Sequence, residues 1–166
     1  MELRHSDADE HIVQAQLGRP LRGWWAVGRR CHLGLPMVIE NHPRMEDGTP
    51  FPTLFWLTCP LLVKRASRLE SEGWMTAVNA ELEASAPLRG RLADALTRYR
   101  SRRDGHERLE RAAPPGGGPD RVKCLHAHLA HELVQPPNAV GSITLARTGW
   151  PDCVAPCVVT SSLGSR

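Results

Sequence analysis

Residues 24–62 read WWAVGRRCHLGLPMVIENHPRMEDGTPFPTLFWLTCPLL. Three short apolar runs stand in this stretch: WWAVGRR (24–30), MVIE (37–40) and LFWLT (54–58). Runs of this length, rich in branched and aromatic residues and bounded by turn formers, read as strands. CHLGLP (31–36) is a tight loop, and HPRMEDGTPFPT (42–53), with three prolines and an Asp-Gly pair, is turn and loop. Short connections between consecutive strands predict an antiparallel sheet. After Thr58 the period changes. Pro60 suits the first turn of a helix, where its missing N–H is no loss. Leu61, Leu62, Ala66 and Leu69 follow at helical spacing, Gly73 stops the run, and Cys59 falls at the N-cap.

Outward from this stretch the pattern is helical. Residues 7–17 form a first helix, capped by Ser6 or Asp7 and ended by Gly18 and Pro20. Residues 74–83 and 88–103 form two more, the second with Leu88, Leu92, Ala95, Leu96 and Tyr99 on one face and six arginines on the other. AAPPGGGP (112–119) is a loop or linker. Asp120 caps a helix over RVKCLHAHLAHELV (121–134), which stops before Pro136 and Pro137. The expected fold is α+β: a small antiparallel sheet of about three strands packed against four or five helices. The expected organisation is a single domain over 1–166, with its core at about 10–145 and an irregular tail at about 146–166.

Composition bounds the function. At 166 residues, 41% hydrophobic and 23% charged, the chain has ordinary globular usage. No stretch approaches the ~20 apolar residues of a membrane span, and the charged start MELRHSDADEHIV has no apolar signal region. The expectation is a cytoplasmic protein with no membrane partner. A net charge of +3 is too mild to imply nucleic acid. Lys64 and Lys123 are the only lysines among 21 basic residues, a bias read as that of a GC-rich genome. The arginine face of 89–103 is read as a solvated helix face. A phosphate cradle at Gly116-Gly117-Gly118 lacks both the usual motif and a leading strand, so a plain loop is the better reading.

The chemistry concentrates in cysteine and histidine. The cysteines are Cys31, Cys59, Cys124, Cys153 and Cys157, an odd number without an export signal, which argues against a disulfide framework. On a helix over 121–134, Cys124, His128 and His131 fall on one stripe at i, i+4, i+7, opposite Val122, Leu125, Leu129 and Leu133. Thiolate and imidazole on one face suit a transition metal. Cys31 and Cys59 sit at strand ends and could complete a set, Cys59 with its thiolate favoured by a helix N-terminus. The three cysteines Cys31, Cys59 and Cys124 with a histidine of the stripe would then hold Zn²⁺ or an iron–sulfur cluster. Structural burial of the same cysteines is the competing reading. Cys153 and Cys157, at C-x₃-C spacing, are read as incidental.

The runs CHLGLPMVIE, DGTPFPTLFWLTCP and GGGPDRVKCLHAHLAH together resemble the bacterial family catalogued as domain of unknown function 501, over roughly residues 10–145. In that family's helix motif K-C-L-H is followed, after a gap, by A-H. The resemblance lays this on Lys123, Cys124, Leu125, His126, Ala130 and His131, and so selects Cys124, His126 and His131, where the helical stripe prefers His128; His131, common to both, completes the metal set Cys31, Cys59, Cys124 and His131. It implies no activity.

Three functions stay open. The first is a small metalloenzyme at the Cys/His site, acting on an unidentified small-molecule substrate of anionic character. The second is a metal-free thiolate enzyme with Cys59 or Cys124 as nucleophile and a histidine such as His126 as base. The third is a non-catalytic interaction module using the Trp-bearing sheet or the arginine helix.

Overall fold

Every residue of Pro36–Asn41 is buried, which marks it as the middle strand of the sheet. In the computed structural model, which describes residues 3–159, that strand (β2) pairs antiparallel with β1 (Trp25–Arg30) on one side and β3 (Phe55–Leu57) on the other. The sheet is a three-stranded meander in the order β1-β2-β3. Val27 lies opposite Ile39, and Ile39 opposite Trp56.

Six helices surround the sheet among the described residues: α1 (Asp7–Leu17), α2 (Pro60–Ser71), α3 (Trp74–Ala84), α4 (Ala86–His106), α5 (Leu125–Val134) and α6 (Ala139–Thr148). The α+β class holds. Local chemistry sets several of the boundaries. The Ser6 hydroxyl accepts from the Asp9 N–H, and Gly18 ends α1 in the left-handed region. The Ser85 hydroxyl caps α4 at Leu88, and Pro60 opens α2 with Cys59 as its N-cap.

Three apolar clusters hold the layers together. The largest joins Met37, Phe55 and Leu57 of the sheet to Leu62, Tyr99, Leu129 and Leu133 from α2, α4 and α5. A second packs Val78, Leu82, Leu92, Leu96, Leu125 and Val140 among α3 to α6. The third sets Val13 of α1 on Trp25 and Ile39. Burying a side chain of this size contributes roughly 1.5–3 kcal/mol, so α5, central to the first two clusters, is the keystone helix.

Three expectations need correction. The helix of 121–134 begins only at Leu125: the Gly116 carbonyl takes the N–H groups of Lys123 and Cys124, so those residues stay extended. Asp120 is therefore not a cap. No helix is expected beyond about residue 140, and the tail expected to be irregular from about 146 begins inside α6, whose sequence AVGSITLART has poor intrinsic helicity. It forms because Gly141 lets it approach α5, where a Cβ would overlap the His128 carbonyl. Finally, the arginine face of α4 is only partly solvated. Arg103 is buried beside Asp104, Arg102 grips the buried Glu40 carboxylate through two hydrogen bonds, and Arg98 reaches the Pro137 carbonyl.

Candidate functional site

α2 presents Val63, Ser67 and Glu70 at i, i+4, i+7, one helical face. Opposite this face the chain enters α5 through Cys124, its N-cap, and His126, in its first turn. The glycine loop fixes that entry. Gly116 has φ +76°, and a Cβ there would stand 2.8 Å from that of Ala127, so the loop closes on α5 only with glycine.

The free N-terminus of α5 is capped from another helix: Glu70 Oε1 accepts the Leu125 N–H at 2.7 Å. The same oxygen lies 3.2 Å from His126 Nδ1, and Cys124 Sγ lies 3.8 Å from that nitrogen. On the far side of the ring, His126 Nε2 is 3.2 Å from the Val63 carbonyl and 3.0 Å from Ser67 Oγ. A carbonyl can only accept, so Nε2 carries a proton and donates it. That leaves Nδ1 facing a thiol sulfur and a carboxylate oxygen. The carboxylate oxygen and a bare Nδ1 lone pair repel at 3.2 Å, so a proton or a metal ion belongs between them. Without metal the proton fills the role: the Cys124 sulfur pushes the His126 pKa up to about 9, burial opposes, and Glu70 adds to the rise.

Ligand atoms of Glu70, Cys124 and His126 all lie within 4.8 Å of one another. Cys124 and His126 open on a cavity of about 430 Å³ whose walls include Leu17, Phe51, Phe55, Trp56, Leu57 and Val63. The arrangement is a small polar, ionisable cluster beside an apolar cleft, the usual make-up of a small-molecule site.

The residues singled out in the sequence fall into three places. Cys124 and His126 meet here, together with Glu70. Cys59 lies eleven residues before Glu70, about 16 Å of helix rise away; its N–H donates to the Met37 carbonyl, and Cys31 donates to Leu35 at the same end of the sheet. The sulfur against His126 is thus that of Cys124. Burial also pushes the Cys59 thiol up, outweighing the α2 N–H groups that were expected to lower it.

His131 occupies the third place. It is buried between Phe55 and Tyr99. Asn138 Nδ2 donates to Nδ1 of both His128 (3.1 Å) and His131 (2.9 Å). Their Nε2–H groups point at the Gly116 carbonyl and at Gln135 Oε1. Both rings are neutral, with every nitrogen engaged; burial lowers both pKa values, that of His131 to about 4.

Glu70 was missed. The signal was present: Leu62, Ala66 and Glu70 stand at i, i+4, i+8, so a carboxylate continues the buried stripe of α2. A charge in line with core positions marks a partner inside.

No curated protein and no solved structure matches the chain. Among the described residues, no helix is long and apolar enough to cross a membrane. The family model described as "Protein of unknown function (DUF501)" matches residues 27–146, which take in most of the sheet, the glycine loop and all three members of the cluster, and the chain belongs to that family.

Proposed function

We propose that the protein is a small metalloenzyme in which Glu70, Cys124 and His126 hold a zinc-class ion at the wall of the apolar cleft. The observation that carries this reading is the spacing of the donors. Zinc bonds of 2.0–2.3 Å at tetrahedral angles set neighbouring ligand atoms about 3.4–3.6 Å apart. The Nδ1–Oε1 and Nδ1–Sγ separations are 3.2 and 3.8 Å. The His126 tautomer fits as well: Nε2–H anchored on a backbone carbonyl leaves Nδ1 as the ligand, a common outer-shell arrangement at zinc sites. One thiolate, one imidazole and one carboxylate suit zinc better than an iron–sulfur cluster, which is held mainly by thiolates. Three protein ligands leave a fourth position, and a metal there would supply an activated water or polarise a bound group. The cleft would take the apolar body of a small substrate.

The same contact supports a second reading. A Cys124 thiolate paired with a His126 imidazolium is the charge state of a metal-free thiol nucleophile. Elemental analysis separates the two, on chain purified anaerobically without a metal-binding tag. The metalloenzyme reading expects one equivalent of zinc to disappear in Cys124→Ser and in Glu70→Gln. If metal content is the same in all three proteins, that reading fails. The thiol reading then expects Cys124 to be alkylated faster than the other cysteines near neutral pH, and to slow in His126→Ala.

A further inference from the structure

The remaining four cysteines gather at the opposite end of α2, around the first residues of β2. Cys31, just after β1, donates its N–H to the Leu35 carbonyl at 2.9 Å, and Cys59 donates to Met37 at 3.1 Å. Between these anchors, the Pro36 carbonyl accepts from Gln16 Nε2 at 2.9 Å, and the same amide lies 3.6 Å from Cys157 Sγ. His32 Nε2 donates to the Cys153 carbonyl at 2.7 Å. Cys31, Cys59 and Cys157 are thus one or two hydrogen bonds from the segment Leu35–Pro36–Met37, and Cys153 is tied to His32, the residue after Cys31.

The tail that delivers Cys153 and Cys157 has no helix or strand after Thr148 within the described residues. It buries little: Val154 is fully exposed and Val159 is 78% exposed. Its path is set instead by polar ties. Arg65 of α2 donates to the Thr148 carbonyl and to Asp152 Oδ1, and the Arg29 guanidinium lies over the Trp150 ring. A segment with so little apolar burial has weak means of holding one conformation. A metal crosslink supplies what the apolar contacts do not.

We propose that Cys31, Cys59, Cys153 and Cys157 form a tetrathiolate zinc site that ties the C-terminal segment to the open end of the sheet. The C-x₃-C spacing of Cys153 and Cys157 lies within the range of structural zinc knuckles. Cys31 and Cys59 follow the two outer strands, β1 and β3, beside the start of β2. The Glu70 group is the one set of three with ligand atoms within 4.8 Å of one another among the described residues, so the four sulfurs are apart as they stand, and closing them on an ion requires their side chains and the C-terminal segment to move. The site is distinct from that of Cys124, and no thiol is shared.

The test uses the full chain, purified anaerobically and loaded with Zn²⁺ or, as a spectroscopic probe, Co²⁺. The proposal expects intense thiolate-to-cobalt charge transfer with a tetrahedral visible spectrum. It expects the larger share of the charge transfer, that of four thiolates, to be lost with one equivalent of zinc in Cys153→Ser/Cys157→Ser, and to persist in Cys124→Ser. Zinc should also slow alkylation of Cys31 and Cys59 by tenfold or more. Since the double variant touches only the irregular tail, its fold can be checked independently by circular dichroism, and Cys157→Ser alone should weaken zinc binding without unfolding anything. Unchanged zinc in the double variant, zinc-independent alkylation, a disulfide among the four in air-free protein, or iron in place of zinc would each overturn the assignment. Loss of zinc from Cys124→Ser alone bears on the other site.

Discussion

Glu70 Oε1 accepts the backbone N–H of Leu125 at 2.7 Å and lies 3.2 Å from Nδ1 of His126. One carboxylate therefore caps a helix and charges a histidine at the same time. It couples the position of α5 to the electrostatics of the cluster.

That double role separates two substitutions. Glu70→Gln keeps an acceptor for Leu125 but removes the charge. It should leave stability within about 1 kcal/mol and lower the His126 pKa part of the way from about 9, with the Cys124 sulfur still holding it up. Glu70→Ala loses the cap as well and should cost roughly 1–2 kcal/mol more. Histidine NMR titration and urea unfolding of the two variants check this; identical unfolding curves would show that the cap contributes nothing.

The pH dependence has two limbs. His126 is raised, so in metal-free protein its contribution is complete below about 6.5 and fades as pH climbs through about 9. His128 and His131 are lowered, so they favour the fold above 6.5 and withdraw that support as pH falls, for His131 through about 4. Each histidine gives a slope of at most about 1.4 kcal/mol per pH unit within its window. Metal-free stability should thus peak near pH 6–7, while zinc affinity, competing with the His126 proton, should rise up to about pH 9. Chelator competition across pH measures the second; a flat affinity would mean that zinc does not displace that proton.

Asn138 is the polar centre of the α5–α6 contact. Its amide donates to His128 and His131, and its oxygen accepts from the Gly141 N–H. Asn138→Ala strips all three at a fully buried position and should destabilise by about 2–4 kcal/mol. Asn138→Asp restores the cap but faces both Nδ1 lone pairs with an acceptor, so it should recover stability only when the histidines protonate, on lowering the pH. A pH-independent deficit in Asn138→Asp would refute the tautomers assigned to the pair.

Gly141→Ala tests the close approach of the same helices. The added methyl meets the His128 carbonyl and the Glu132 side chain, so α6 must move away. The expected loss is at least the roughly 1–3 kcal/mol of an overpacked core. Gly90, which has open space around its Cβ position, is the control: Gly90→Ala in the middle of α4 should stabilise by about 0.5–1 kcal/mol.

The sequence by itself determined the strands, five of the six helices, and Cys124 and His126 as carriers of chemistry. Those features are local. Period-2 and period-3.6 apolar patterns, Pro60, Gly18 and Ser6 act over a few residues, and the motif around Cys124 is contiguous. Only the tertiary structure decided the rest. α6 exists because Gly141 lets α5 come close, which no property of AVGSITLART announces. The stripe of Cys124, His128 and His131 dissolves because the Gly116 carbonyl, eight residues upstream, holds Cys124 out of the helix. Glu70 reaches His126 across 56 residues of chain, and Cys153 approaches His32 across 121. A hydrogen bond or a ligand set depends on separations of a few ångströms, and over such spans only the packing of helices on the sheet fixes them.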